Sequence, residues 1–160
     1  MLNSVKKYGA YGTTFARIAV GALFLLHGLS KFGVIGGGSM DETVAMFGAM
    51  NMPVPAFTAV LVAVLEAVGG LALILGYGAR VAAAILGVIM LVAILAVKLP
   101  AEANPMMGYE IELALLAGLV MLFFQGAGAF SLEEFLQTPK QEDSMEEFVD
   151  YISRQRGNPA

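Results

Sequence analysis

The sequence predicts an all-α integral membrane protein. Four transmembrane helices run up and down as one bundle, with a short outer interfacial helix and an amphipathic helix in a cytoplasmic C-terminal tail. Three observations predict this. First, 58% of the 160 residues are apolar and only 14% charged, against about 45–50% and about 25% in soluble domains, and the mean hydropathy is +0.77. Second, the apolar stretches 13–35, 55–77, 80–99 and 107–125 can each cross a core about 30 Å thick at about 1.5 Å per residue. Third, these stretches are continuous rather than alternating, the pattern of helices and not of barrel strands.

Each element has its own signals. Residues 1–12 read as a short polar lead with two glycines, an interfacial turn. Lys6 and Lys7 before an apolar run could suggest a signal peptide, but no small-x-small cleavage site ends the run and three more spans follow. Gly36-Gly37-Gly38 breaks the first span. Ser39 with Glu42 then forms a capping box for a short helix whose Met40, Val44, Phe47 and Met50 recur at helical spacing. Pro53 and Pro55 end that helix and start the second span. Gly76-Tyr77-Gly78 turns tightly into the third, Pro100 and Pro105 bracket the next loop, and Gly126-Ala127-Gly128 closes the fourth. Short connections favour an up-down bundle.

Residues 1–130 form the transmembrane unit and 131–160 an acidic tail. The unit carries six basic and six acidic residues, the tail three and seven, so the tail accounts for the net charge of −4. Ser131 with Glu134, and Ser144 with Glu147, are further capping boxes, and Met145, Phe148, Val149 and Ile152 give the second tail helix an apolar face. Its polar face is mostly acidic, whereas helices lying on anionic lipid carry lysine and arginine there. Docking on a protein partner or on the bundle is the expectation. Threaded four times, the chain puts Lys6, Lys7, Arg17, Arg80, Lys140, Arg154 and Arg156 on one side and only Lys31 and Lys98 on the other. The positive-inside rule then places both termini in the cytoplasm. No basic patch invites nucleic acid.

The cofactor inventory is short. Without cysteine, disulfides, thiolate metal sites and thiol relays within the chain are excluded. A lone histidine, His27, makes an internal haem or multi-histidine metal site an unfavourable reading, and no flavin motif is evident. Any redox cofactor is borrowed or diffusible.

Charge inside the spans is the informative feature. Glu66 lies at the middle of an apolar run, and a carboxylate there costs about 2.5–3.5 kcal/mol on insertion scales. On a helical wheel Glu66 shares a face with Ala59, Val62, Gly69, Gly70 and Leu73, a small-residue seam that points it into the bundle. The first span carries Arg17, Gly21, Phe24, Gly28 and Lys31 along one stripe, with His27 on its shoulder. By depth, His27, Lys31, Glu66, Tyr109, Glu112 and Lys98 can converge in the outer half, beneath a rim of Met40, Met46, Met50, Met52, Met106 and Met107. Each has a plainer reading. Glu66 with Lys31 or His27 serves equally as a register lock, His27 as an interhelical hydrogen bonder, and Lys98 as a snorkelling interface residue.

These residues resemble the DoxX/DoxD family. Arg17-x3-Gly21-x2-Phe24-x2-His27-Gly28-x2-Lys31 is similar to its first-span signature. Phe47-Gly48-x3-Met52-Pro53-x-Pro55 is similar to the loop before span two, and Glu66-x2-Gly69-Gly70 through Arg80 to the second span and hairpin. Glu112-Leu113-Ala114-Leu115-Leu116 with Gly126-x-Gly128 is similar to the fourth, although the family's basic residue after that turn is replaced by Ala129. The resemblance implies a four-helix protein of a bacterial or archaeal cytoplasmic membrane, tied to quinone or sulfur redox chemistry, including membrane subunits of thiosulfate:quinone oxidoreductase. Fold-level analogy does not by itself assign an activity.

With that resemblance, a quinone-type ligand is expected in the outer half of the bundle. His27 and Lys31 would donate hydrogen bonds, Glu66 would exchange protons, and Tyr109 and Glu112 would complete the site, with Glu112 orienting His27 or Lys31. Electrons would come from a partner subunit, so catalysis by the chain alone is not expected. The competing expectation is an accessory subunit of a larger respiratory or photosynthetic complex with no chemistry of its own. Small-residue seams leave a homo-oligomer open.

Overall fold

The structure is a computed structural model that describes residues 2–99, 108–137 and 151–152, with side chains from residue 9 onward. It is all-helical, with no strand among the described residues. Pro100, Pro105, Met106, Met107, the Ser144–Glu147 box and most of the apolar face expected behind it lie outside them.

Helix α1 runs Leu2–Lys31, which corrects the expected turn over residues 1–12. Gly9 and Gly12 sit in open space on this helix and are tolerated within it at a cost of about 1 kcal/mol each relative to alanine. α2, Met40–Ala49, starts where Ser39 Oγ accepts from the Glu42 N–H at 3.1 Å, and it packs on the next helix with Thr43 and Phe47 buried. α3, Pro55–Leu75, begins on a proline whose missing N–H is an unpaired donor position anyway. It ends on Gly76 at φ +69°, where the Gly76 and Tyr77 N–H groups both reach the Ala72 carbonyl. The expected tight turn is this cap. α4, Ala79–Val92, continues as a π-helical turn over Ala93–Lys98. α5 is Glu110–Gln125 and α6 is Leu132–Gln137.

α1 packs along α3, α3 on α4, α4 on α5, and α5 returns to α1. Phe24, Leu73, Leu86, Met90, Leu119 and Leu122 meet at the centre with small residues of α4. Among the described residues, three helical segments, Gly9–Lys31, Pro55–Leu75 and Ala79–Lys98, are long and apolar enough to cross a membrane. α5 has 16 residues and begins at Glu110, three residues later than its apolar run suggested, so it spans about 24 Å at about 1.5 Å per residue. Outside the core, large apolar side chains such as Phe15, Phe57, Val81, Val88, Ile111 and Phe124 face outward on every long helix. A water-soluble monomer rarely exposes apolar surface this continuous, whereas lipid accepts it.

Candidate functional site

The seam between α1 and α3 builds the site. Gly21 and Gly28 of α1 meet Gly70, Ala67 and Ala63 of α3 so closely that backbones touch. A Cβ added at Gly28 would lie 2.5 Å from the Ala67 nitrogen, and one at Gly21 would lie 2.7 Å from the Gly70 carbonyl oxygen. Close approach of this kind is what small residues at helix interfaces allow. Ala59, Ala63, Glu66, Gly70 and Leu73 form the buried face of α3, whereas Val62 and Gly69, also placed on the seam by the sequence, are half-buried. Lys31, one turn beyond Gly28, is thereby carried onto Glu66, and its ammonium donates to Glu66 Oε2. The two side chains are 16% and 7% exposed, so water screens this pair little.

The other expected site residues are distributed differently. His27 is exposed, and its Nδ1–H donates to the Leu23 carbonyl of its own helix at 2.8 Å. A carbonyl can only accept, so Nδ1 carries a proton and Nε2 is the ring nitrogen not engaged by this bond. The cause is angular: Gly28 faces α3, and the preceding residue sits about 100° around a helix of 3.6 residues per turn. Glu112 pairs with Lys98 at 3.4 Å, with side chains 20% and 38% exposed, rather than with His27 or Lys31. Lys98 is therefore a partner rather than a snorkelling side chain alone. Tyr109 is half-buried at the start of α5, beside Gly108, whose N–H donates to Glu110 Oε2. Two ion pairs thus stand where one cluster was expected, one across α1 and α3 and one between the end of α4 and the start of α5.

Arg17 was read from the sequence as an orientation signal and as part of the first-span stripe, without a partner of its own. It is wholly buried. Its Nη1 donates to the Leu73 and Ile74 carbonyls at 2.8 and 3.1 Å, and its Nη2 to the Phe130 carbonyl at 3.3 Å. The last carbonyls of a helix have no intrahelical partner and carry the negative end of its dipole, so a guanidinium at the end of α3 answers both. Gly76 is needed beside it, because a Cβ there would collide with Arg17 Nη1. A lone arginine one turn before a glycine stripe, with a glycine turn ending the facing helix, was the available signal.

Comparison with known proteins finds one family model and two similar chains. The DoxX family model matches residues 12–99, a region that holds Arg17, His27, Lys31 and Glu66 and stops short of Tyr109 and Glu112. A Bacillus subtilis (strain 168) protein named "Putative oxidoreductase CatD" is 32% identical over 126 residues, covering 78% of this chain and 87% of its own length. An uncharacterized protein of Haemophilus influenzae is 36% identical over 138 residues, covering 82% of this chain and 96% of its own. No solved structure matches. With a match running from α1 through the π turn, and three helices suited to a bilayer, this chain belongs to the DoxX family of membrane proteins.

Proposed function

We propose that this chain is an integral membrane subunit of a quinone-linked redox system, holding a quinone or similar lipophilic ligand at Lys31 and Glu66. It crosses the bilayer four times, with α5 as the fourth span, α2 along the outer surface and both ends in the cytoplasm. The observation that carries the reading is the Lys31–Glu66 pair inside the α1–α3 seam. Taking two charges out of water costs several kcal/mol per ion, and apolar residues of similar volume often give equal or greater stability. Retaining the pair is understandable if it handles protons. A quinone supplies the matching chemistry, since its carbonyl oxygens need donors and its reduction takes up protons.

In this reading the Lys31 ammonium donates to a ligand oxygen and Glu66 exchanges the proton with Lys31. His27 lies one turn earlier on the outward side, where its Nε2, not engaged by the bond to Leu23, can hydrogen-bond a ligand arriving through lipid. Tyr109 and Glu112 act with Lys98, as a second polar contact near the end of α4. Electrons come from a partner, with the acidic tail beyond residue 136 as its docking segment. The name of the Bacillus relative supports redox chemistry at this coarse level.

A second reading is an accessory subunit in which the pair only sets helix register, and the close glycine seam favours it. Glu66→Gln separates the two. Wild-type protein purified with native lipid is expected to carry quinone, and Glu66→Gln to carry little while eluting at the same size. Equal quinone in both would remove the site and leave the register lock.

The topology has its own test, which the absence of native cysteine makes clean. Glu42→Cys and Glu110→Cys should react with an impermeant maleimide on intact cells. Tyr77→Cys and Glu134→Cys should react only after permeabilisation. Labelling of all four from one side would overturn the four-span arrangement.

A further inference from the structure

The turn after α5 holds a bulky residue in a backbone conformation that side chains rarely adopt. Phe130 has φ +52°. Such strain costs on the order of 1–3 kcal/mol and persists only where the surroundings over-determine it. The surroundings here are α1. Arg17 Nη2 donates to the Phe130 carbonyl at 3.3 Å, and Thr14 Oγ1 donates to the Ala129 carbonyl at 2.6 Å. Thr13 Oγ1 donates to the Gln125 side chain at the end of α5. Ser131 is buried, its Oγ accepts from the Glu134 N–H at 3.1 Å to start α6, and the Glu133 N–H reaches the Gly76 carbonyl at 3.2 Å.

This held backbone displays its apolar side chains instead of burying them. Phe130, Phe135 and Leu136 are 76%, 78% and 62% exposed, with Leu132 beside them. The exposed ring of Tyr11 stacks on Phe130 with centroids 5.7 Å apart.

We propose that residues 130–136 are a lipid anchor, lying in the headgroup–acyl boundary of the leaflet where α3 and α5 end. The depth follows from the hydrogen bond to Gly76, which ties α6 to the level at which a membrane-length helix stops. The patch is also continuous through Tyr11 with Phe15, and so with the outward apolar face of α1. Tyrosine rings such as that of Tyr11 are favoured at that boundary, and faces of phenylalanine and leucine bury into it. The charges within 130–136 are Glu133 and Glu134, so anionic headgroups offer no attraction. Zwitterionic or neutral lipid, gripped through apolar burial, is the partner that fits. This inference rests on membrane residence and not on the quinone reading.

The chain has no tryptophan, so Phe135→Trp and Leu136→Trp each install a single reporter. In phosphatidylcholine nanodiscs the full-length variants should emit blue-shifted light. They should lose emission to lipid brominated near the headgroup more than to lipid brominated near the chain ends. Adding phosphatidylglycerol should leave the quenching unchanged. Water-like emission without quenching would overturn the anchor. Blue emission insensitive to bromine would also overturn it, placing the segment against protein instead.

Discussion

Lys31→Met lowers the stability of the folded chain by about 3–5 kcal/mol, the range for removing one partner of a buried ion pair. The loss arises because Glu66, 7% exposed at its side chain, keeps a charge or a proton in the seam with no ammonium to meet it. Glu66→Met costs less, since Lys31 is more exposed and can move its long stem toward the helix end. The double variant Lys31→Met/Glu66→Met recovers most of the loss, because two apolar side chains fill the seam without a desolvation cost. Thermal unfolding of the purified protein in one detergent, run as a double-mutant cycle, measures the coupling. Additive losses would show that the two residues do not stabilise each other. Lys98→Met is the comparison: its pair with Glu112 is half-exposed, and the expected change is under about 1 kcal/mol.

Gly28→Leu is expected to separate α1 from α3, with a loss of about 3 kcal/mol or more, at the upper end of overpacking effects. The reason is the identity of the colliding atoms. A Cβ at Gly28 meets the Ala67 nitrogen and the Ala63 carbonyl oxygen at 2.5 and 2.8 Å, and backbone cannot change rotamer. The helices must move apart, and the Lys31–Glu66 pair beyond Gly28 opens with them. Gly118→Ala should do the opposite. Its added Cβ would lie 3.6 Å from a Val20 methyl, an ordinary contact, so removing a helix-interior glycine gains about 0.5–1 kcal/mol. Melting temperatures of the two variants test the pair of expectations together. A Gly28→Leu protein that melts like wild type would mean the seam is not as close as described.

How much of this was legible depends on the range of the signal. Local signals read correctly: Ser39 and Ser131 both cap helices through the residue three positions on. Gly76 and Gly78, at φ +69° and +59°, form the turn between α3 and α4. The stripe of Arg17, Gly21, Phe24 and Gly28 is buried, as its 3.6-residue period required. Partner choice was not legible. Depth along a span placed His27, Lys31, Glu66 and Glu112 at similar levels, but depth is one coordinate. Rotation about the helix axis and the order of neighbours around the bundle decide which side chains meet. His27 therefore faces outward, and Glu112 finds Lys98 instead.

The sequence by itself determined that the chain lives in a membrane, roughly where its apolar helices run, and that Glu66 lies on a small-residue face. Those properties follow from composition and from a period that each residue shares with neighbours three or four positions away. Only the tertiary structure decided that Lys31 answers Glu66, and that Arg17 closes the end of α3 and carries the strained turn at Phe130. Such pairings depend on how closely two backbones approach, and that distance is set by residues distant in the chain that come together only on folding.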